Sequence, residues 1–226
     1  MPDGTDTRGE RRARREGVRT ALSDALIELV EQTAFKDISV DDVARAAGIT
    51  RSAFYLYFRD KHELLIAAAA GAAQALYDEA DRWRNGRGRP ERRLREALGG
   101  VAALYERHTG LLRAIIEVSG YDNGIRLFWR EVVERFVDAT SEHLRAEQRA
   151  GRVPRELEPQ ATAETLVWMV ERCCYVYLAH GERSVRELVD ALTATWYAAL
   201  YPAALRRPRS SAAKLSAGRR PSSGQR

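Results

Sequence analysis

Between Val18 and Leu205 apolar residues recur at three- and four-residue spacing almost without interruption, and no segment alternates convincingly as a strand, so the chain is expected to be all-α. Val18, Leu22, Leu26, Leu29 and Val30 line one face of a first helix that fades near Thr33. Ser39 with Asp42 makes a capping box opening a short second helix, which Gly48 closes. Thr50 caps a third, expected to run to about Phe58, and Asp60 with Glu63 opens a long fourth reaching about Trp83. Asn85 to Pro90 reads as a linker. Helices are then expected over about 91–107, 109–119 and 125–150, from Pro159 to about His180, and from a Ser184–Glu187 cap to about Tyr201. That makes about nine.

The densest pattern lies between Ile38 and Lys61. Two helices of about two turns are joined by a tight turn at Gly48, which can take the positive φ such a turn needs, and Ala44, Ala46 and Ala47 allow close approach. This is a helix-turn-helix layout, whose second helix enters the major groove of DNA. Phe54 and Phe58 face inward with Val43, Ile49 and Leu64. The remaining face offers Thr50, Arg51, Ser52, Ala53, Tyr55 and Tyr57 to base edges or phosphates, with Ser39 beside it, and Lys61 is placed to pair with a phosphate. Arg8 to Arg19 can lie over the backbone or reach a neighbouring groove.

Charge agrees with an anionic polymer as partner. The net charge is +5, with +2 in residues 1–19, +7 in residues 206–226 and −4 between them. Four segments follow: a basic arm at 1–17 expected to be disordered, a DNA-binding domain at 18–66, a body at 67–205, and a basic disordered tail at 206–226. No run reaches the roughly 18 apolar residues of a membrane span, and the N-terminus lacks the apolar core of an export signal. Cys173 and Cys174 are adjacent and poorly placed to bridge each other, so a reducing cytoplasm is expected. His62, His108, His143 and His180 lie on separate helices and form no metal-binding or hydrolytic motif. No cofactor, metal or catalytic activity is expected.

The body is rich in rings. Trp129, Val133, Phe136 and Thr140 share one helix face, and Val167, Val170, Glu171 and Tyr175 share another. Such stripes are ordinary core material, but a carboxylate among valines and tyrosines is costly to bury unless it is paired or serves a ligand. Arg172 and Arg113 are the candidate partners. Val185, Leu188, Val189, Leu192, Trp196 and Leu200 form one further apolar stripe, and Leu166, Met169, Cys173, Tyr177 and His180 another; together they are expected to form a four-helix dimer interface.

The run Phe54-Tyr55-Leu56-Tyr57-Phe58, followed by Lys61 and Leu64-Leu65, resembles the signature of the TetR family of bacterial repressors over residues 18 to 66. Asp37 to Phe58, Met169 to Arg172 and Trp196 to Tyr201 resemble its ethionamide-resistance-repressor branch. The resemblance implies a homodimer with a three-helix head on a double-stranded DNA operator and a body that binds a small apolar or amphipathic effector, in the bacterial cytoplasm at the nucleoid. The tunnel it implies maps onto Leu94, Leu98, Val101, Tyr105, Trp129, Val133, Phe136, Thr140, Val167, Val170, Glu171, Tyr175 and Trp196. Where the branch carries polar amides, this chain has Val167 and Val170. The competing expectation is a nucleoid-type protein that binds DNA through its basic ends without site preference or effector.

Overall fold

The computed structural model describes residues 8–178 and 180–202, and the first seven residues and the 206–226 tail lie outside it. Nine α-helices and no strand occur among the described residues: α1 (Arg8–Gln32), α2 (Val40–Ala46), α3 (Arg51–Phe54), α4 (Lys61–Asn85), α5 (Pro90–Arg107), α6 (Thr109–Ser119), α7 (Asn123–Arg149), α8 (Pro159–Cys173) and α9 (Val185–Leu200). None is long and apolar enough to cross a membrane.

Three boundaries differ from expectation. The first helix begins at Arg8, so residues 8–17 are an exposed helical extension of α1 and no disordered arm. Arg, Ala and Glu are good helix formers, and they continue the helix that Leu22 and Leu26 anchor in the core. The third helix ends at Phe54, and a turn carries the chain through Tyr55 to Phe58. Finally, α8 gives way after Cys173 to a π-helical turn, Cys174–Leu178.

In the head, α1, α2, α3 and the start of α4 enclose Leu22, Leu26, Val43, Phe54, Phe58, Leu64 and Leu65, all essentially inaccessible. The body is built around α5, which packs between α4 and α9, while α7 contacts α4, α6 and α8. Two elements join head to body. One is α4, continuous from Leu64 in the head core to Trp83 in the body core. The other is a joint between the end of α1 and the start of α6. There the Gly110 N–H donates to both carboxylate oxygens of Glu31 at 3.0 Å, and Arg113 donates to the Val30 carbonyl at 3.3 Å. A Cβ on Gly110 would lie 2.4 Å from the Val30 carbonyl oxygen, so glycine lets the two backbones touch.

The apolar stripe of α9 is not free to meet another subunit. Leu188, Val189, Leu192, Trp196 and Leu200 are buried within the protomer, chiefly against α5. Helical period shows that a stripe must be covered but not by which partner.

Candidate DNA-reading face and body cavity

Hydrogen bonds to the backbone fix the helix-turn-helix. Ser39 and Asp42 complete a reciprocal capping box, with the Ser39 N–H donating to Asp42 Oδ2 at 3.0 Å and the Asp42 N–H to Ser39 Oγ at 3.2 Å. The Ser39 hydroxyl also donates to Asp42 Oδ2, and that bond, followed by the one from the Ser39 N–H, holds the Asp42 carboxyl below its ordinary pKa. Gly48 turns the chain at φ +70°. Thr50 Oγ1 then accepts from the Ala53 N–H at 3.2 Å, capping α3. Arg51 pairs with Asp41 of α2 at 3.0 Å, which ties the two helices together on their outer side.

Thr50, Arg51, Ser52 and Tyr55 are exposed, as is Ser39 at the head of α2. Ala53 is half-buried. Tyr57 is also half-buried and packs on the core, while its carbonyl accepts from Arg19 at 2.8 Å. Leu56 is the most exposed large apolar side chain of the segment, at 72 %. Its position was missed because an apolar residue between two tyrosines reads as inward-facing until the helix is seen to end before it.

Lys61 is not available to a phosphate. Its ammonium donates to the carbonyls of Phe35, Lys36 and Ile38 at 2.9, 3.2 and 2.7 Å, which uses all three of its donors. It also lies 4.7 Å from the centre of the Phe35 ring, and burial lowers its pKa. This lysine clamps the loop before α2 onto the start of α4.

In the body, α4, α5, α7, α8 and α9 surround a cavity of about 690 Å³, open solvent at its mouth included. Leu94, Leu98, Val101 and Tyr105 of α5, Trp129, Val133, Phe136 and Thr140 of α7, Val167, Val170 and Glu171 of α8, and Trp196 of α9 all line it. A further wall, unmarked by the sequence reading, comes from Leu76, Ala80, Trp83 and Arg84 of α4, with Ala97 and Val132. Tyr175 does not line it. The π turn shifts the register after Cys173, so Cys174 takes the buried position and Tyr175 instead packs on His180 at 5.4 Å and beneath Arg172 at 5.3 Å.

Glu171 is 4 % exposed. The Trp129 indole N–H donates to its Oε1 at 3.3 Å, while its Oε2 has no hydrogen-bond partner and lies 3.7 Å from the largely exposed Arg172 guanidinium. Arg113, the other expected partner, is engaged at the α1–α6 joint instead. Burial raises the Glu171 pKa, with Arg172 and the Trp129 hydrogen bond opposing weakly. At the other side of the cavity the Trp83 and Trp196 rings stand 5.4 Å apart with their indole nitrogens unpartnered. Trp83 also packs on His143 at 4.4 Å and faces the Tyr201 hydroxyl without reaching hydrogen-bond geometry.

An all-helical chain whose capped helix-turn-helix stands on a body with an apolar cavity defines a class, the helix-turn-helix DNA-binding regulators. Residues 22–68 match the description "Bacterial regulatory proteins, tetR family", and residues 94–202 match "Transcriptional regulator EthR, C-terminal domain". The chain belongs to the TetR family and is a transcriptional regulator of the EthR type, not an enzyme. It is 28 % identical over 207 residues to the HTH-type transcriptional regulator EthR of Mycolicibacterium smegmatis, covering 86 % of this chain and 92 % of the relative. It is 30 % identical over 184 residues to MftR of Mycobacterium tuberculosis, a candidate mycofactocin biosynthesis transcriptional regulator, covering 75 % and 84 %. Among solved structures, a candidate TetR-family transcriptional regulator from Rhodococcus sp. shares the fold with a TM-score of 0.71 at 21 % identity, over 81 % of this chain and 98 % of that one.

Proposed function

We propose that this chain represses transcription as a homodimer, placing two α3 helices in successive major grooves of a palindromic operator, roughly 34 Å apart. The observation that carries this reading is the outward set Arg51, Ser52, Tyr55 and Leu56, exposed on an α3 segment whose backbone is capped and whose inner face is locked by Phe54 and Phe58. A free surface of this kind on a rigid support suits reading base edges and phosphates. Small exposed residues on the outer side of α9, Ala191, Ala194 and Ala198, allow a second copy to approach closely.

The effector is a small, apolar or amphipathic molecule with a hydrogen-bonding group for which Glu171 Oε2 is the anchor. Filling the cavity displaces the α4 wall at Leu76 to Arg84, and α4 carries that displacement to Leu64 and Leu65 in the head. DNA and effector then weaken each other's binding by the same factor.

The test is selection of duplexes from a random library with the full chain, followed by titration of the selected duplex against Arg51→Ala. A preferred palindrome is expected, together with a loss of about 1–3 kcal/mol in preference for it and an intact dimer. Recovery of no preferred sequence would instead establish the non-specific reading. Native mass spectrometry of the purified protein identifies any compound held in the body, and adding that compound must release the selected duplex.

A further inference from the structure

We propose that the exposed N-terminal part of α1 is a second DNA-contacting surface, an arginine stripe that grips phosphates flanking the site read by α3. The proposal rests on the DNA-binding reading above and extends it to the sequence-independent part of the affinity.

At about 100° per residue, Arg8, Arg11, Arg12, Arg15 and Arg19 fall within a band roughly 100° wide on one side of α1. Glu10 falls on the far side and Glu16 at the border, so the band itself is purely basic. Arg8, Arg11, Arg12 and Arg15 are exposed, and none makes an ion pair with an acidic side chain among the described residues, whereas Arg45, Arg51 and Arg59 in the same head do.

Arg19 sets the direction of the band. Its guanidinium donates to the Tyr57 carbonyl at 2.8 Å and lies 4.2 Å over the Phe58 ring, at the end of the recognition segment. The stripe therefore starts beside that segment and runs away from it along the helix for about 16 Å. A major groove is about 12 Å wide, so a stripe of this length is long enough to span from the groove that α3 occupies to its flanking phosphates. Rigid helical arginines at successive turns match a row of phosphates, and their guanidinium planes suit bidentate contacts.

Arg8, Arg11, Arg12 and Arg15 changed together to Gln keep helix propensity and remove four charges. Binding of the full-length variant is measured by fluorescence anisotropy across a KCl series, on a duplex selected by the wild type and on an unselected duplex of equal length. Affinity for both is expected to fall about tenfold or more near 0.1 M salt, with the slope of log K against log salt shallower by about 0.9 per arginine engaged. The ratio between the two duplexes is expected to stay constant. Lys at the four positions should restore the slope, and circular dichroism checks that the helix persists. Removing Arg126, Arg145, Arg149 and Arg155, far from the head in sequence, controls for net charge.

An unchanged slope, or an equal change in the control, would overturn the proposal. So would lost discrimination at constant slope, which would make the stripe a reader of bases. If the wild type selects no preferred duplex, the operator reading falls, and the stripe still stands or falls on the slope with the unselected duplex.

Discussion

Head and body solve the problem of buried polar groups in opposite ways. In the head, Ser39, Thr50, Asp60 and Lys61 each supply a hydrogen bond to a backbone group that would otherwise end a helix or loop unsatisfied. In the body, a number of buried atoms lack a hydrogen-bond partner, and those of Trp83, His143, Glu171, Trp196 and Tyr201 lie at the cavity or beside Trp83. Among the described residues every such side-chain atom belongs to Glu79 or a later residue. Each costs about 1–3 kcal/mol relative to a satisfied group. The head is therefore complete before DNA arrives, while the body retains polar groups that a ligand or a repacked conformation can satisfy.

This contrast is open to test, and the largest effect is expected in the head core. Phe54→Ala removes a fully buried ring that supports α3 and should cost about 3–5 kcal/mol, read by urea denaturation, with operator binding lost. A head that melts separately from the body would show the two regions to be independent units, and a single transition would show that α4 and the Gly110 joint bind them into one.

Gly110→Ala sharpens the comparison at the joint itself. The added carbon meets the backbone of Val30 and Glu31, at 2.4 to 2.7 Å, so one helix must move, at a cost of about 1–3 kcal/mol. Operator affinity should fall together with stability. Retained affinity in a destabilised variant would leave α4 alone as the route between cavity and head.

Lys61→Met should cost about 2 kcal/mol, because the Phe35 and Ile38 carbonyls lose their donor. The salt dependence of DNA binding should not change. A shallower salt slope would return Lys61 to the phosphates.

Glu171→Gln should have the smallest effect, a gain of about 1 kcal/mol at neutral pH that builds up as pH rises above 4.5 and then levels off. The carboxyl is raised above its ordinary value of 4.5 by burial, so the folded state binds the proton more tightly than the unfolded one. Both states are protonated well below 4.5, and stability is lost as pH rises from there through the folded value. The Gln variant, uncharged throughout, lacks that loss. Parallel stability curves for the two proteins above pH 4.5 would show that Arg172 already neutralises the site.

How much of the fold and site was legible in the sequence varied with how local the determinant was. Ser39-x-x-Asp42, Gly48, Thr50 and the Phe54–Phe58 pair act over one or two turns, and their placement follows from backbone geometry alone. The inward face of α7 was legible for the same reason, since Trp129, Val133, Phe136 and Thr140 need only helical period to align. The α4 wall was not. Trp83 sits near the end of a helix with no marked stripe, and its role depends on α5, α7 and α9 arriving around it. Tyr175 was misplaced because a π turn leaves no recognisable trace in a run such as Cys-Cys-Tyr-Val-Tyr. Leu56 and the start of α1 turned on where a helix stops, and there propensity and anchoring compete.

Length, period, caps and the Gly48 turn by themselves determined an all-helical chain with a DNA-reading head, because each acts through neighbours along the backbone. Tertiary structure decided that Lys61 is a clamp, that the α9 stripe is core, that Gly110 joins head to body, and that Arg19 of α1 sits beside Tyr57 and Phe58 of the recognition segment. Those outcomes depend on which distant surface meets which, and contacts between residues tens of positions apart are settled by packing, to which a one-dimensional pattern is blind.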